Sequence, residues 1–227
     1  MPTVLITGAG RGIGLELARA YAEADWSVLA GIRDPAAADT LIRIDGDVTP
    51  ITLDVADPAS VMILAERLAG LPIDLLINNA GIIGPRDAVI GDTDFGVWQD
   101  VLTVNTLAPV RLVEAFLPHL RDGNGRTIVT VSSKMGSIGA NQRGGALIYR
   151  SSKAAVNAAM RSIAFDLADE SFTVTVLHPG WVRTDMGGPQ ADIGAVESAI
   201  GMKAVIDGLT PDQTGQFFNY DGTALPW

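Results

Sequence analysis

The stretch Thr7-Gly8-Ala9-Gly10-Arg11-Gly12-Ile13-Gly14 follows a β-branched run, Thr3–Thr7, and opens a helical pattern over residues 12–24. Glycines let the backbone turn tightly there and approach a pyrophosphate, which would rest on the unpaired N–H groups of the helix start. Gly8, Gly12 and Gly14 are spaced four then two, wider than the common G-x-G-x-x-G. No Lys-Ser or Lys-Thr follows, which argues against a phosphate-transfer loop. A tight strand-to-helix turn alone would also use glycines, but their place directly after the first strand favours nucleotide binding.

Outward from this turn the chain alternates short β-branched runs with helical patterns. Strands are expected at Thr3–Thr7, Ser27–Ile32, 48–53, 74–78, 126–132, 173–177 and 216–220. Helices are expected at 36–41, 59–69, 95–120, 149–168 and Ala195–Asp207; Asp57 caps the one that Pro58 opens, and Pro109 is expected to kink the longest. This alternation implies right-handed crossovers and an α/β fold: one parallel sheet of about seven strands, covered by helices on both faces. There is no linker, repeat or low-complexity tract, so residues 1–227 read as a single domain. Ligands of such sheets bind beyond the carboxyl ends of the strands.

The end of the second strand selects the nucleotide. An acidic residue there would hold ribose hydroxyls, whereas arginine accommodates a 2′-phosphate. The strand ends Gly31-Ile32-Arg33-Asp34, and Arg11 can project from the glycine loop toward the same phosphate. Two cations favour NADP(H) over NAD(H); Asp34 keeps the second open, and either arginine could be a solvated surface charge.

Tyr149 and Lys153 in Tyr149-Arg150-Ser151-Ser152-Lys153 are four apart, on one face of a helix. An ammonium beside a phenol favours the phenolate and lowers its pKa, which makes a tyrosine a usable general acid or base. For this pair alone, one aromatic and one solvated lysine on a helix is the commoner case.

Composition bounds the function. Of 227 residues, 48% are apolar and 19% charged, as in a globular chain. Sixteen basic residues against 26 acidic ones leave a net charge of −10, which disfavours nucleic acid and anionic membrane surfaces. There is no cysteine for disulfide or thiolate chemistry, and no basic leader or uncharged 18-residue run, so a cytoplasmic location is expected.

Seven short motifs stand in a shared order: TGAGRGIG (7–14), LDV (53–55), NNAG (78–81), VNTLAP (104–109), VSS (131–133), YRSSK (149–153) and HPGWVRTDM (178–186). Together they resemble the short-chain dehydrogenase/reductase family over nearly the whole chain. The segment 132–155 looks most like small carbonyl reductases related to the Sniffer and C-factor proteins. The resemblance implies a doubly wound Rossmann domain and hydride transfer between NADP(H) and a carbonyl or alcohol substrate. Tyr149 would be the general acid, and Lys153 would bind the nicotinamide ribose and hold the tyrosine pKa down. Ser133 would orient the carbonyl, and Asn105 would shape a water relay to the lysine. Asp54 would lie near the adenine. Gly8, Gly12, Ile13, Gly14, Val55, Asn79, Ala80, Gly81, Pro179, Gly180, Val182 and Thr184 would line the rest of the cofactor, with Arg11 and Arg33 at its phosphate.

Bland roles compete at several of these positions. Ser132 faces oppositely to Ser133, so only one can act, and the motif favours the second. Tyr149 stands sixteen positions after Ser133, longer than the family's commonest spacing. Asn105 could be a kink residue beside Pro109, and Asp54 a turn residue. His119 and His178 read as structural, since no ligand spacing surrounds them, and no metal is implied. The region 187–195 over the substrate is short and carries only Asp192 as a charge, which does not discriminate among ketones, aldehydes and quinones. A homodimer or homotetramer through helices 95–120 and 149–168 is expected by resemblance. A regulatory or signalling protein of the C-factor type, binding cofactor with little turnover, is the alternative.

Overall fold

The computed structural model describes residues 1–85 and 90–227. Seven parallel strands form one sheet in the order β3-β2-β1-β4-β5-β6-β7. They are β1 (Thr3–Thr7), β2 (Ser27–Ile32), β3 (Val48–Thr52), β4 (Leu75–Asn78), β5 (Thr127–Val131), β6 (Thr173–His178) and β7 (Phe217–Asn219). The helices are α1 (Gly12–Ala22), α2 (Ala38–Ile42), α3 (Pro58–Arg67), α4 (Phe95–Leu102), α5 (Ala108–Asp122), α6 (Leu147–Asp166) and α7 (Ala195–Asp207).

Side-chain alternation divides the core. Leu5, Leu76, Ile128 and Val174 face one side and pack with Leu112, Phe116, Val156 and Met160 of α5 and α6. Their neighbours Val4, Ile6, Ile77 and Val129 face the other, against Leu17, Tyr21, Met202 and Ile206 of α1 and α7. Both faces are covered, which is why the central strands are mostly apolar, with unbroken runs Val4-Leu5-Ile6 in β1 and Leu75-Leu76-Ile77 in β4. Successive strands run outward from β1 through β2 to β3, then resume at β4 on β1's other side, so the order reverses between β1 and β4. Such a reversal opens a crevice at the carboxyl ends, here at Thr7 and Asn78.

Most elements lie where the periodicity placed them, with ends shifted by one or two residues. The longest helix differs. Its irregularity is a π turn over Thr103–Leu107, ahead of Pro109 rather than at it. Proline has no N–H to give the carbonyl four residues earlier, that of Asn105, so the ladder loosens upstream of the ring. Phe95–Asp122 has the length and hydropathy of a membrane span, but Leu112, Val113, Phe116 and Leu120 are buried in the core.

Candidate active site

The glycine loop is shaped by conformation and by close approach. Gly8 and Gly12 have φ of +66° and +55°, the left-handed region that favours glycine. A Cβ on Gly8 would lie 2.9 Å from Ala80 Cα, and one on Gly14 would collide with the Gly8 carbonyl oxygen. Thr7 Oγ1 accepts from the backbone N–H groups of Asn79 and Ala80, both at 3.0 Å. Asn79 Nδ2 donates back to the carbonyls of Thr7 (2.9 Å) and Gly8 (3.2 Å). The loop is thereby bolted to the end of β4. Arg11, at the N-cap of α1, makes no side-chain capping bond, and the first turn carries no acidic residue. That helix start suits an anion, because its first amides have no capping side chain and no competing carboxylate.

At the end of β2 the carboxylate ambiguity has a geometric answer. Asp34 Oδ1 accepts from Ala36 N at 3.0 Å, capping the turn Pro35–Ala37. Its neighbour Arg33 is exposed and forms no ion pair among the described residues. Arg11 instead crosses to Asp185, Nη1 to Oδ2 at 2.5 Å, with both side chains largely in solvent. An exposed pair of this kind contributes at most about 1 kcal/mol and opens readily. Asp54 also holds a turn: its Oδ1 accepts from Ala56 N at 3.0 Å, while its own N–H meets Ser60 Oγ. Val55 follows it, buried against the α5 face of the sheet.

The candidate catalytic side chains gather where β5 meets α6. Ser132 is turned away: its hydroxyl donates to Asn157 Oδ1 at 2.6 Å in the core. Ser133 follows on the other face and accepts from Met135 N at 3.1 Å, capping the turn Lys134–Gly136. Tyr149 and Lys153 are both buried on α6, with Lys153 Nζ 5.8 Å from the Tyr149 ring centroid. Lys153 Nζ donates to the Val131 carbonyl at 2.9 Å. Burial pushes its pKa down to about 8 from 10.5. Asn105 sits in the π turn and pairs both ways with the Ile82 backbone, accepting at 2.9 Å and donating at 2.8 Å. It also donates to Ser152 Oγ at 3.0 Å, whose hydroxyl donates on to Tyr149 O. A Cβ on Gly81 would lie 3.3 Å from Asn105 Oδ1 and 3.6 Å from Lys153 Nζ, so glycine there lets both approach.

The turn after β6 closes the far side. Pro179 O accepts from the buried Ser198 hydroxyl at 2.6 Å, and Gly180 has φ +85°. Val182 bridges to Ile193, and Thr184 Oγ1 accepts from Gly187 N at 3.0 Å. Thr184 also stands against the glycine loop, its Cγ2 3.3 Å from where a Gly12 Cβ would be. His178 is half-buried at the end of β6, and its pKa falls to about 4 through burial and the nearby Lys134 charge. His119 faces the carbonyls of Leu71 and Ala65, each at 3.1 Å.

Glycine loop, Tyr149, Lys153, Ser133, Asn105 and Gly81 therefore lie around the carboxyl ends of β1, β4 and β5. Asp54, Asn79 and Thr184 spend their side chains on holding backbone. Thr7 and Ser152 are the positioning residues that motif reading did not single out. Thr7's place as the last strand residue before the glycines was the available signal. Ser152, inside YRSSK, carried no signal of its own.

A sequence model described as short chain dehydrogenase matches residues 2–192. The C-signal of Myxococcus xanthus is 51% identical over 156 residues, 69% of this chain and 93% of that protein. The carbonyl reductase Sniffer of D. melanogaster superposes with a TM-score of 0.93 at 33% identity, covering all of both chains. An NADPH-bound carbonyl reductase from chicken fatty liver gives 0.90 at 36% identity, over 100% of this chain and 99% of that one.

Proposed function

Since the chain belongs to the short-chain dehydrogenase family, we propose that it is an NADP(H)-dependent oxidoreductase acting on a carbonyl or alcohol substrate. The observation that carries this reading is a buried lysine 5.8 Å from a tyrosine ring on α6, at the rim where the glycine loop ends. The nicotinamide, when bound, supplies the hydride in reduction and accepts it in oxidation.

The chain's own residues do the rest. Tyr149 gives its phenolic proton to the carbonyl oxygen in reduction and takes it back in oxidation. The Lys153 charge stabilises the phenolate that this transfer leaves. Ser133 holds the oxygen in line with the phenol. Asn105 and Ser152 brace the turn below, fixing the lysine approach past Gly81. Gly8, Gly12, Ile13 and Gly14 would hold the pyrophosphate, with Arg33 at the 2′-phosphate and Arg11 free to join once released from Asp185. Asp54, Val55, Asn79, Ala80, Gly81, Pro179, Gly180, Val182 and Thr184 would line the adenine-to-nicotinamide path.

The regulatory alternative is not favoured, because the chain keeps the full set of reactive groups and matches carbonyl reductases end to end. A cytoplasmic location accords with the acidic, cysteine-free composition. Self-association through α5 and α6 is supported by exposed Leu107 and Phe165. Sedimentation should show a dimer or tetramer; a monomer would refute that part. Screening NADPH oxidation against ketones, aldehydes and quinones tests the activity. Turnover of at least one class is expected, and none with cofactor bound would overturn the reading.

A further inference from the structure

Resting on that reading of the site, we infer that Arg150 is a positioning residue that clamps both ends of loop 137–146 and so shapes the substrate side of the pocket. The loop runs from the turn after Ser133 to the start of α6, two residues before Tyr149. Its ends therefore adjoin the two groups that would touch the carbonyl. The last three residues before the helix, Gly144, Gly145 and Ala146, all have left-handed backbone, with φ of +65°, +70° and +45°. The two glycines reach this region without a steric penalty, whereas Ala146 has a Cβ to accommodate there.

Asn141 Oδ1 accepts from Gly144 N at 3.0 Å, and one guanidinium ties the carbonyls of this segment. Arg150 Nε donates to the carbonyls of Gly144 (3.2 Å) and Gly145 (3.1 Å), and Nη1 donates to Met135 O at 3.3 Å. Met135 lies before the loop and the two glycines lie at its end, so the planar head spans the loop's neck. The backbone N–H of Arg150 adds a bond to Ala146 O at 2.9 Å. The rest of the loop is tied independently: Ser137 Oγ and Gly139 N donate to Trp227 O at 3.0 and 3.1 Å. Between the ties lie the exposed side chains Ile138, Asn141, Gln142 and Arg143. Because Arg150 adjoins Tyr149 on the same helix, the loop is registered against the proton donor rather than against a distant element. Lysine replaces it only in part, since its ammonium is a point charge without the rigid planar fork that aims two separate nitrogens at the two sides of the neck.

The test uses the full chain and the variants Arg150→Ala and Arg150→Lys. Trypsin cleavage after the exposed Arg143 reports loop opening without needing turnover. Steady-state kinetics with menadione, or the best carbonyl from the panel, reports the pocket. Arg150→Ala is expected to raise KM and the Arg143 cleavage rate each by roughly tenfold, with kcat within about threefold and NADPH affinity unchanged. Arg150→Lys should fall between, and millimolar guanidinium should partly restore the alanine variant. Unchanged KM and unchanged cleavage in folded protein would overturn the clamp. Should Arg150→Ala fail to fold, the same two readings on Arg150→Lys decide it. If the wild type turns over no carbonyl, the oxidoreductase reading fails and the cleavage rate alone judges the clamp.

Discussion

Lys153 Nζ donates to the carbonyl of Val131, at the end of β5, while lying 5.8 Å from the Tyr149 ring on its own helix. The ammonium is thus tied to the strand that leads into Ser133 and is enclosed at the same time. Enclosure disfavours the charged form, which is why the pKa falls to about 8 from 10.5. The penalty is fully present below about 8 and fades as pH rises toward 10.5, so this group makes the fold more stable with rising pH across that window. Lys153→Met should remove the effect. Its gain in Tm over the wild type is expected to be largest near neutrality and to shrink toward pH 10, read by thermal melts without cofactor; a pH-independent difference would contradict it.

Replacing Tyr149 by Phe deletes one oxygen and leaves the ring in its buried place. Carbonyl reduction is expected to fall by about 10²–10⁴-fold, the usual contribution of a positioned acid, with NADPH affinity nearly unchanged. Stopped-flow turnover and fluorescence titration of cofactor separate the two, and retained turnover would refute the assigned role.

Arg33 should set cofactor choice, because Asp34 spends its carboxylate on the Ala36 cap. Arg33→Ala is expected to weaken NADPH by roughly tenfold or more while changing NADH little, since only the former carries the 2′-phosphate. Equal losses for both cofactors in paired titrations would assign Arg33 to the surface instead.

Asn79→Ala removes the donor to the carbonyls of Thr7 and Gly8. Stability should drop by about 1–3 kcal/mol, the cost of leaving buried acceptors unpaired, and NADPH affinity should fall with it. Denaturant unfolding with and without cofactor measures both. A variant that binds NADPH normally would show that the loop holds its shape without this bolt.

Much of the architecture could be read from residue order because it rests on local rules. The alternation of β-branched and helical runs placed β1, β2 and α7 to the residue, and the glycines after Thr7 marked where the crevice would open. The break in the long helix was expected at Pro109 but lies over Thr103–Leu107, since the missing N–H acts on a carbonyl upstream. Motif order pointed to Ser133 over Ser132; in the fold the Ser132 hydroxyl is taken by Asn157, twenty-five positions away, and that of Ser133 caps the turn after it.

By itself the sequence determined the element types, the parallel winding and the residues able to carry proton transfer, because periodicity, turn chemistry and side-chain type are properties of short stretches. Only the tertiary structure decided which of those side chains come together and what each one bonds to. Asp34, Asp54, Asn79 and Thr184 have side chains suited to a ligand, yet each bonds to a main-chain group. The Arg150 clamp likewise exists only because Met135 and Gly145 meet across a loop. The Asp34 and Asp54 bonds are local turn chemistry, but those of Asn79 to the Thr7 and Gly8 carbonyls are set by the path of the folded chain, and no local pattern encodes them.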